Sequence, residues 1–261
     1  MFLANYKKSM VLVTETGILR LTSSKEFNWS SFQWPESISN NYQTSMMNNF
    51  SSSLVKCPVF PTKIVCVGRN YVAHAKELGN IIPDEPLLFL KPNSALLGPQ
   101  GKIILPSLSN KVDYETELVA VIGKKTQGTI PEKNAMKYIL GYTIGLDITA
   151  RDLQRKDKSW FRGKGFDTFA PVGPWIASSK TINLDDCRLT LHINGQIKQQ
   201  GNIRDMVFKI PYLIHYISKI VTLNPGDIIF TGTPEGVGEI HAGDSLKAEI
   251  ENIGILNVSV N

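Results

Sequence analysis

The chain has 261 residues and a mass of 29.0 kDa, with 42% hydrophobic and 20% charged residues. That is ordinary globular usage, which excludes a disordered or fibrous chain and allows one large domain or one domain with a small appendage. No apolar run approaches the ~18 residues of a membrane span, and MFLANYKKSM lacks an apolar signal core, so a cytoplasmic protein with no membrane partner is expected. The formal charge is +5, from 28 Lys+Arg against 23 Asp+Glu, but no long block of like charge is present; no nucleic-acid partner is therefore expected. Cys57, Cys66 and Cys187 are odd in number and lack CxxC spacing, which reads as reduced, buried thiols rather than a disulfide framework or a zinc site.

In chain order, MVLVTETGILRLTSS reads as two short strands around a Thr-Gly turn, a hairpin. Ten serines and five asparagines fall between Ser23 and Ser53, a loop-like run. Residues 1–55 are accordingly expected to form a small N-terminal appendage, and residues 56–261 the main domain, with the boundary at the prolines between Cys57 and Pro61.

From Lys63 the pattern is strand-rich. KIVCVG, PLLFL, GKIILP, ELVAVIG, YILGYTIGLDIT, PVGPWIA, LTLHING, DIIFTGT, SLKAEI and ILNVSV are short apolar or alternating runs. Helical patterns are fewer: YVAHAKELG, PEKNAMKY, ARDLQRK and VFKIPYLIHYISKI. Asn194-Gly195 is the strongest hairpin signal. This ratio disfavours alternating βαβ units and predicts a β-rich α+β fold, a mixed sandwich or roll with a few short peripheral helices. No GxGxxG follows a strand, which excludes a Rossmann site.

The residues able to do chemistry appear along the same path. In GRNYVAHAKELG, His74 and Glu77 stand at i, i+3, a spacing that suits a carboxylate-oriented general base and equally an exposed surface pair. In VDYETELVAVIG, Glu115 and Glu117 project from one face of a strand with Asp113 nearby and no cation between Lys111 and Lys124. A hard divalent cation would neutralise them; a solvent-facing edge strand is the competing reading. Asp147 follows the apolar run YILGYTIGL, where a lone buried carboxylate is costly unless paired or metal-bound, although it could instead cap a helix beginning near Arg151. The basic stretch Arg151 to Lys164 could gather an anionic substrate or be a solvated loop, and position alone favours the loop. Lys164 lies between two glycines, either a cation with backbone close around it or a mobile surface lysine. FTGTPEGVG could set Thr233 and backbone N–H groups around a carboxylate or phosphate, yet it lacks the GK[ST] of a Walker loop. His192, His215 and His241 read as structural.

Seven segments, GRNYVAHAKEL, FLKPNSALLGP, VDYETELVAVIGK, GYTIGLDITARDLQ, KGFDTFAPVGP, NGQIKQQGNIRDM and LNPGDIIFTGTPEGVG, resemble the fumarylacetoacetate hydrolase family in order across residues 62–260. The nearest likeness is to its acylpyruvate hydrolase and oxaloacetate decarboxylase branch. The resemblance implies a homodimer, a Mg²⁺ or Mn²⁺ site at Glu115, Glu117 and Asp147, and His74 with Glu77 handling a water. It also implies Lys164 at a developing oxyanion, and Tyr71, Arg151, Gln154 and Thr233 near the substrate, with the Gly68-to-Tyr71 amides close by. A lid over Asp152 to Ser159 is expected. Fumarylacetoacetate hydrolase proper has a fourth acidic ligand seven residues before the histidine; here that position is Val67, so a three-carboxylate site is expected. The implied reaction is hydrolysis of the C3–C4 bond of an acylpyruvate to leave a pyruvate enolate. Decarboxylation of oxaloacetate, or isomerisation or hydration of related 2-oxo dioic acids, shares that chemistry and stays open at this point.

Overall fold

A computed structural model describes residues 1–14, 17–23, 27–29, 31–32, 34 and 54–261. Most of the Ser/Asn-rich run therefore lies outside the described residues. The strands are β1 Phe2–Tyr6, β2 Ser9–Thr14, β3 Gly17–Ser23, β4 Val55–Lys56, β5 Ile64–Gly68, β6 Leu87–Lys91, β7 Leu96–Leu97, β8 Lys102–Ile103, β9 Val112–Tyr114 and β10 Thr116–Ile122. They continue with β11 Ile139–Leu146, β12 Thr149–Ala150, β13 Ala170–Ser178, β14 Arg188–Ile193, β15 Gln196–Asn202, β16 Ile228–Phe230, β17 Gly238–Glu239, β18 Ser245–Ile250 and β19 Gly254–Val260. The helices are short: α1 Val72–Glu77, α2 Arg151–Lys156, α3 Phe161–Lys164 and α4 Ile210–Ser218. PEKNAMKY, read from the sequence as helical, forms a 3₁₀ run over Glu132–Tyr138, and α3 had no sequence signal of its own.

The strands build a β-rich, mixed α+β fold. The large sheet runs β3-β2-β1-β13-β11-β10-β16-β5-β6, with β4 on β1 and β7 on β13; most pairs are antiparallel, and β16 with β5 is parallel. A five-stranded sheet, β15-β14-β18-β19-β8, packs its inner face on β11 and β13. Its strands alternate, with Leu189, Leu191, Leu246, Ala248, Leu256 and Val258 turned inward. The central strands behave differently: every residue of β10 and β11 is buried, so both faces are covered and the apolar runs ELVAVI and ILGYTIGL are nearly continuous. The hairpin at Asn194-Gly195 forms with φ of +52° and +81°, the double left-handed turn that Asn-Gly favours. β2 and β3 pair as the N-terminal hairpin, although its turn residues are not described, and β1 joins that hairpin to β13 of the large sheet.

The pairing of β10 with β11 positions the site. Thr116 faces Leu146 and Glu117 faces Gly145, while the Asp147 N–H donates to the Glu115 carbonyl at 2.8 Å. Glu115, Glu117 and Asp147 therefore share one face at one end of adjacent strands. Gly145, opposite Glu117, has no room for a side chain: a Cβ there would lie 2.4 Å from Phe230 Cε1 and 2.5 Å from Val119 Cγ2. A small third sheet, β12-β9-β17, crosses the same end, and α2 and α3 follow β12 directly over the carboxylates.

Candidate active site

The three carboxylates are nearly sealed from solvent, and one oxygen from each lies within 4.8 Å of the others. They line a cavity of about 290 Å³ together with His74, Arg151, Gln154, Lys164 and Thr233. Its size is at the small end for ligand sites, suited to a compact molecule. Asp147 does not cap α2, whose N-cap is Ala150; its carboxylate turns into the site, and the capping alternative is set aside.

The acids are not without protein cations, as the sequence between Lys111 and Lys124 suggested; the cations come from elsewhere in the fold. Lys164 Nζ bridges Glu115 Oε2 at 2.8 Å and Asp147 Oδ2 at 2.6 Å. Arg151 donates from Nε to Asp113 Oδ2 at 2.8 Å and from Nη1 to Gln154 Oε1 at 2.6 Å, and its other nitrogen binds Glu115 Oε1. Both cations are almost wholly buried, so the solvated-loop reading of Arg151 to Lys164 is corrected at its two ends. The reason is charge balance: a buried carboxylate needs a partner, and folding α2 and α3 across the strand ends supplies two.

Electrostatics divides the acids. Burial opposes charge on Glu115, but Lys164 and Arg151 outweigh it and hold that carboxyl well below the usual carboxylate range. Among the described residues, Glu117 accepts only the Gly232 N–H, at 2.7 Å. Burial, then Asp147 and Glu115 beside it, push Glu117 well above its ordinary value. A small site with three hard oxygen donors, in which one carboxyl resists ionisation because it is buried beside two others, fits a hard divalent cation.

His74 is buried on α1, with Glu77 Oε2 3.5 Å from Nδ1. That is longer than a hydrogen bond, and such links commonly tighten when substrate binds. Glu77 Oε1 is held by the Gly236 N–H at 3.0 Å. The glycine-rich turn between β16 and β17 thus gives two of its N–H groups to the protein's own carboxylates, Gly232 to Glu117 and Gly236 to Glu77. Gly232 has φ +97°, and a Cβ there would lie 2.7 Å from Asn70 Cβ, so the turn needs glycine. Thr233 donates to the Thr116 carbonyl and accepts from Gln199 Nε2, both at 2.8 Å.

Of the residues named from sequence, Glu77 and Tyr71 are not on the cavity wall. Glu77 stands behind His74. Tyr71 is buried in the core, and its hydroxyl has no hydrogen-bond partner among the described residues. Val67 does line the cavity, at the position where a fourth acid was absent. Cys66 and Cys187 are buried and Cys57 half-buried, all three as free thiols.

Sequence reasoning missed Lys91, Gln199 and an aromatic pair. Lys91, at the end of the apolar strand β6, lies 2.7 Å from Asp147 Oδ1 and donates to the carbonyls of Ile148, Lys164 and Phe169. A lone cation closing the run PLLFLK was the available signal. Gln199 accepts from the Thr116 N–H at 3.0 Å, tying the Asn-Gly hairpin to the acidic strand; nothing in QIKQQGN marked it. Phe89 and Trp160 meet edge to face, ring centroids 5.2 Å apart, on the cavity wall.

A concave site with a buried carboxylate triad, paired cations and a carboxylate-backed imidazole is that of an enzyme. Residues 63–261 match the family described as fumarylacetoacetate (FAA) hydrolase C-terminal, and the chain belongs to that family. It is 47% identical over 203 residues, 76% of this chain and 91% of the relative, to the mitochondrial oxaloacetate tautomerase FAHD1 of Arabidopsis thaliana. Among solved structures it is similar to 5-carboxymethyl-2-hydroxymuconate delta-isomerase from Mycobacterium smegmatis, at TM-score 0.84 and 35% identity, covering 100% of this chain and 99% of that one. It is also similar to fumarylpyruvate hydrolase from Pseudomonas aeruginosa in complex with Mn²⁺ and pyruvate, at TM-score 0.73 and 37% identity over 78% of this chain and 90% of that one. Among the described residues no helix is long and apolar enough to cross a membrane.

Proposed function

We propose that the protein is a Mg²⁺- or Mn²⁺-dependent hydrolase that cleaves the C3–C4 bond of acylpyruvate-type 2,4-dioxo acids. The observation that carries this reading is that Glu115, Glu117 and Asp147 line one small cavity with His74 and Lys164. The three carboxylates would hold the cation, which when bound supplies a Lewis acid for the carboxylate and 2-oxo oxygens of a 2-oxo acid. His74 takes a proton from a water directed at the 4-carbonyl, with Glu77 fixing the ring and balancing the imidazolium. As the C3–C4 bond breaks, its electron pair passes into the pyruvate enolate, whose charge the Lys164 ammonium offsets. Arg151 and Gln154, linked to each other, and Thr233 orient the substrate.

Burial lowers the His74 pKa below the ordinary 6.5, and a cation in the triad acts in the same direction. The base form therefore persists below that pH. The acid limb of kcat/KM for hydrolysis is expected below pH 6.5, and a limb at or above it would remove His74 from the role of base.

A second reading, oxaloacetate tautomerisation or decarboxylation, is supported by the names of relatives, as is isomerisation of a 2-oxo dioic acid. A panel of acetylpyruvate, fumarylpyruvate and oxaloacetate, assayed with Mg²⁺ and again in chelator, tests both. Hydrolysis of the acylpyruvates that stops in EDTA and returns with Mg²⁺ or Mn²⁺ supports the first reading. Turnover of oxaloacetate alone replaces it with the second, and full turnover in chelator removes the cation from both.

A further inference from the structure

Gln199 is a polar side chain, 1% exposed, that the proposed reaction does not use. It is the one buried residue of the edge strand β15, and a slip in pairing turns it inward. Leu191 of β14 faces Gln199, whereas His192 faces Ile197, which leaves Lys198 as an extra residue. Such a bulge breaks the alternation of the strand, so Gln196, Ile197 and Lys198 are all exposed and Gln199 points into the protein.

Its partners fix which way the amide lies, because a backbone N–H can only donate and a backbone carbonyl can only accept. Oε1 accepts from the Thr116 N–H at 3.0 Å, and Nε2 donates to the Pro234 carbonyl, also at 3.0 Å. The amide in turn fixes a hydroxyl. Nε2 donates its other proton to Thr233 Oγ1 at 2.8 Å, and Oγ1 spends its own proton on the Thr116 carbonyl at 2.8 Å. Both backbone groups of Thr116, the residue between Glu115 and Glu117, are held in this ring. Among the described residues Oγ1 has no further partner, so of its one proton and two lone pairs a single lone pair is left. Thr233 lines the cavity, and its hydroxyl can therefore accept a hydrogen bond from a ligand but cannot donate one.

We propose that Gln199 is a positioning residue that acts through Thr233: it holds this hydroxyl as a hydrogen-bond acceptor, so the group that meets Thr233 in the cavity brings an O–H of its own. An oxo or carboxylate oxygen at that point would set lone pair against lone pair, which a buried site penalises. Two sources can supply the O–H, the attacking water and a hydroxyl of the ligand. The inference rests on the reading that Thr233 orients the substrate.

The test is a double-mutant cycle on the full chain with Mg²⁺. It is read by calorimetric affinity for pyruvate and lactate, which carry an acceptor and a donor on the same carbon, and by kcat and KM for acetylpyruvate. Thr233→Val removes the acceptor and keeps the shape; Gln199→Met keeps the length of the side chain and removes the amide that pins the hydroxyl. Each is expected to cost about 3- to 10-fold, the range of one hydrogen bond, and the pair no more than Thr233→Val alone. Thr233→Ser, which retains the hydroxyl, is expected to match the wild type. Thermal unfolding shows which variants are folded; should Gln199→Met fail, Gln199→Glu keeps the Thr116 contact, turns an acceptor toward Oγ1 and is expected to show the same lack of additivity. Weaker lactate binding with pyruvate spared identifies the donor as a hydroxyl of the ligand, and a loss confined to kcat identifies it as the water. Losses that add, or a silent Gln199→Met beside a damaging Thr233→Val, would overturn the role of Gln199 and leave Thr233 at the substrate. Weaker pyruvate binding with lactate spared would overturn the acceptor polarity, and a silent Thr233→Val would remove Thr233 from the substrate altogether.

Discussion

Glu115→Ala is expected to lower turnover of every substrate by at least ~10³-fold, beyond the 10- to 100-fold typical of losing a group that only supports a metal ligand. The physical reason is twofold. The triad loses one of its three oxygen donors, and Lys164 and Arg151 lose a shared buried partner. Breaking a buried ion pair in this way costs about 3–5 kcal/mol, so the melting temperature is expected to fall as well. Glu115→Gln separates the two effects, because it keeps the volume and a hydrogen-bond acceptor while removing the charge. Titrating Mg²⁺ and Mn²⁺ into each variant by calorimetry, alongside kcat/KM, checks the assignment. Unaltered metal affinity in Glu115→Gln would show that the cation, if one binds, is held elsewhere.

His74→Ala is expected to divide the reactions. Hydrolysis of an acylpyruvate requires water activation and is expected to fall by ~10² to 10⁴-fold, the usual loss on removing a general base. Oxaloacetate decarboxylation needs no attacking water and is expected to fall less, with metal affinity unchanged. His74 is suited to this separation because its ring sits on the cavity wall while the carboxylate behind it, Glu77, does not. Glu77→Gln is the companion variant: it keeps the contact to the Gly236 N–H but weakens support for the imidazolium, so it is expected to reproduce part of the same split. Equal losses for both substrates in His74→Ala would mean that the imidazole positions substrate and does not activate water.

Local pattern alone placed many of these elements. The alternating runs of β14, β18 and β19 sit half-buried, the continuous runs of β10 and β11 are covered on both faces, and Asn194-Gly195 makes its turn, because each depends on side-chain period or on the φ preference of one residue. Glu115 with Glu117, and His74 with Glu77, were visible for the same reason: residues two apart on a strand or three apart on a helix share a face.

What pairs with what across long separations was not legible. Asp147 had two readings until the register of β10 against β11 set it opposite Glu115. Lys164 and Arg151 read as part of a basic surface stretch, because nothing within that stretch shows that its two ends fold over three buried acids. Lys91 and Gln199 reach the site from β6 and β15, separated in sequence by more than a hundred residues. The sequence by itself determined the strands, the turns and the residue types that could hold a cation and move a proton. The tertiary structure decided which cations neutralise the three buried carboxylates, because a charge balance in a buried site is a property of distances between strands and not of spacing along one.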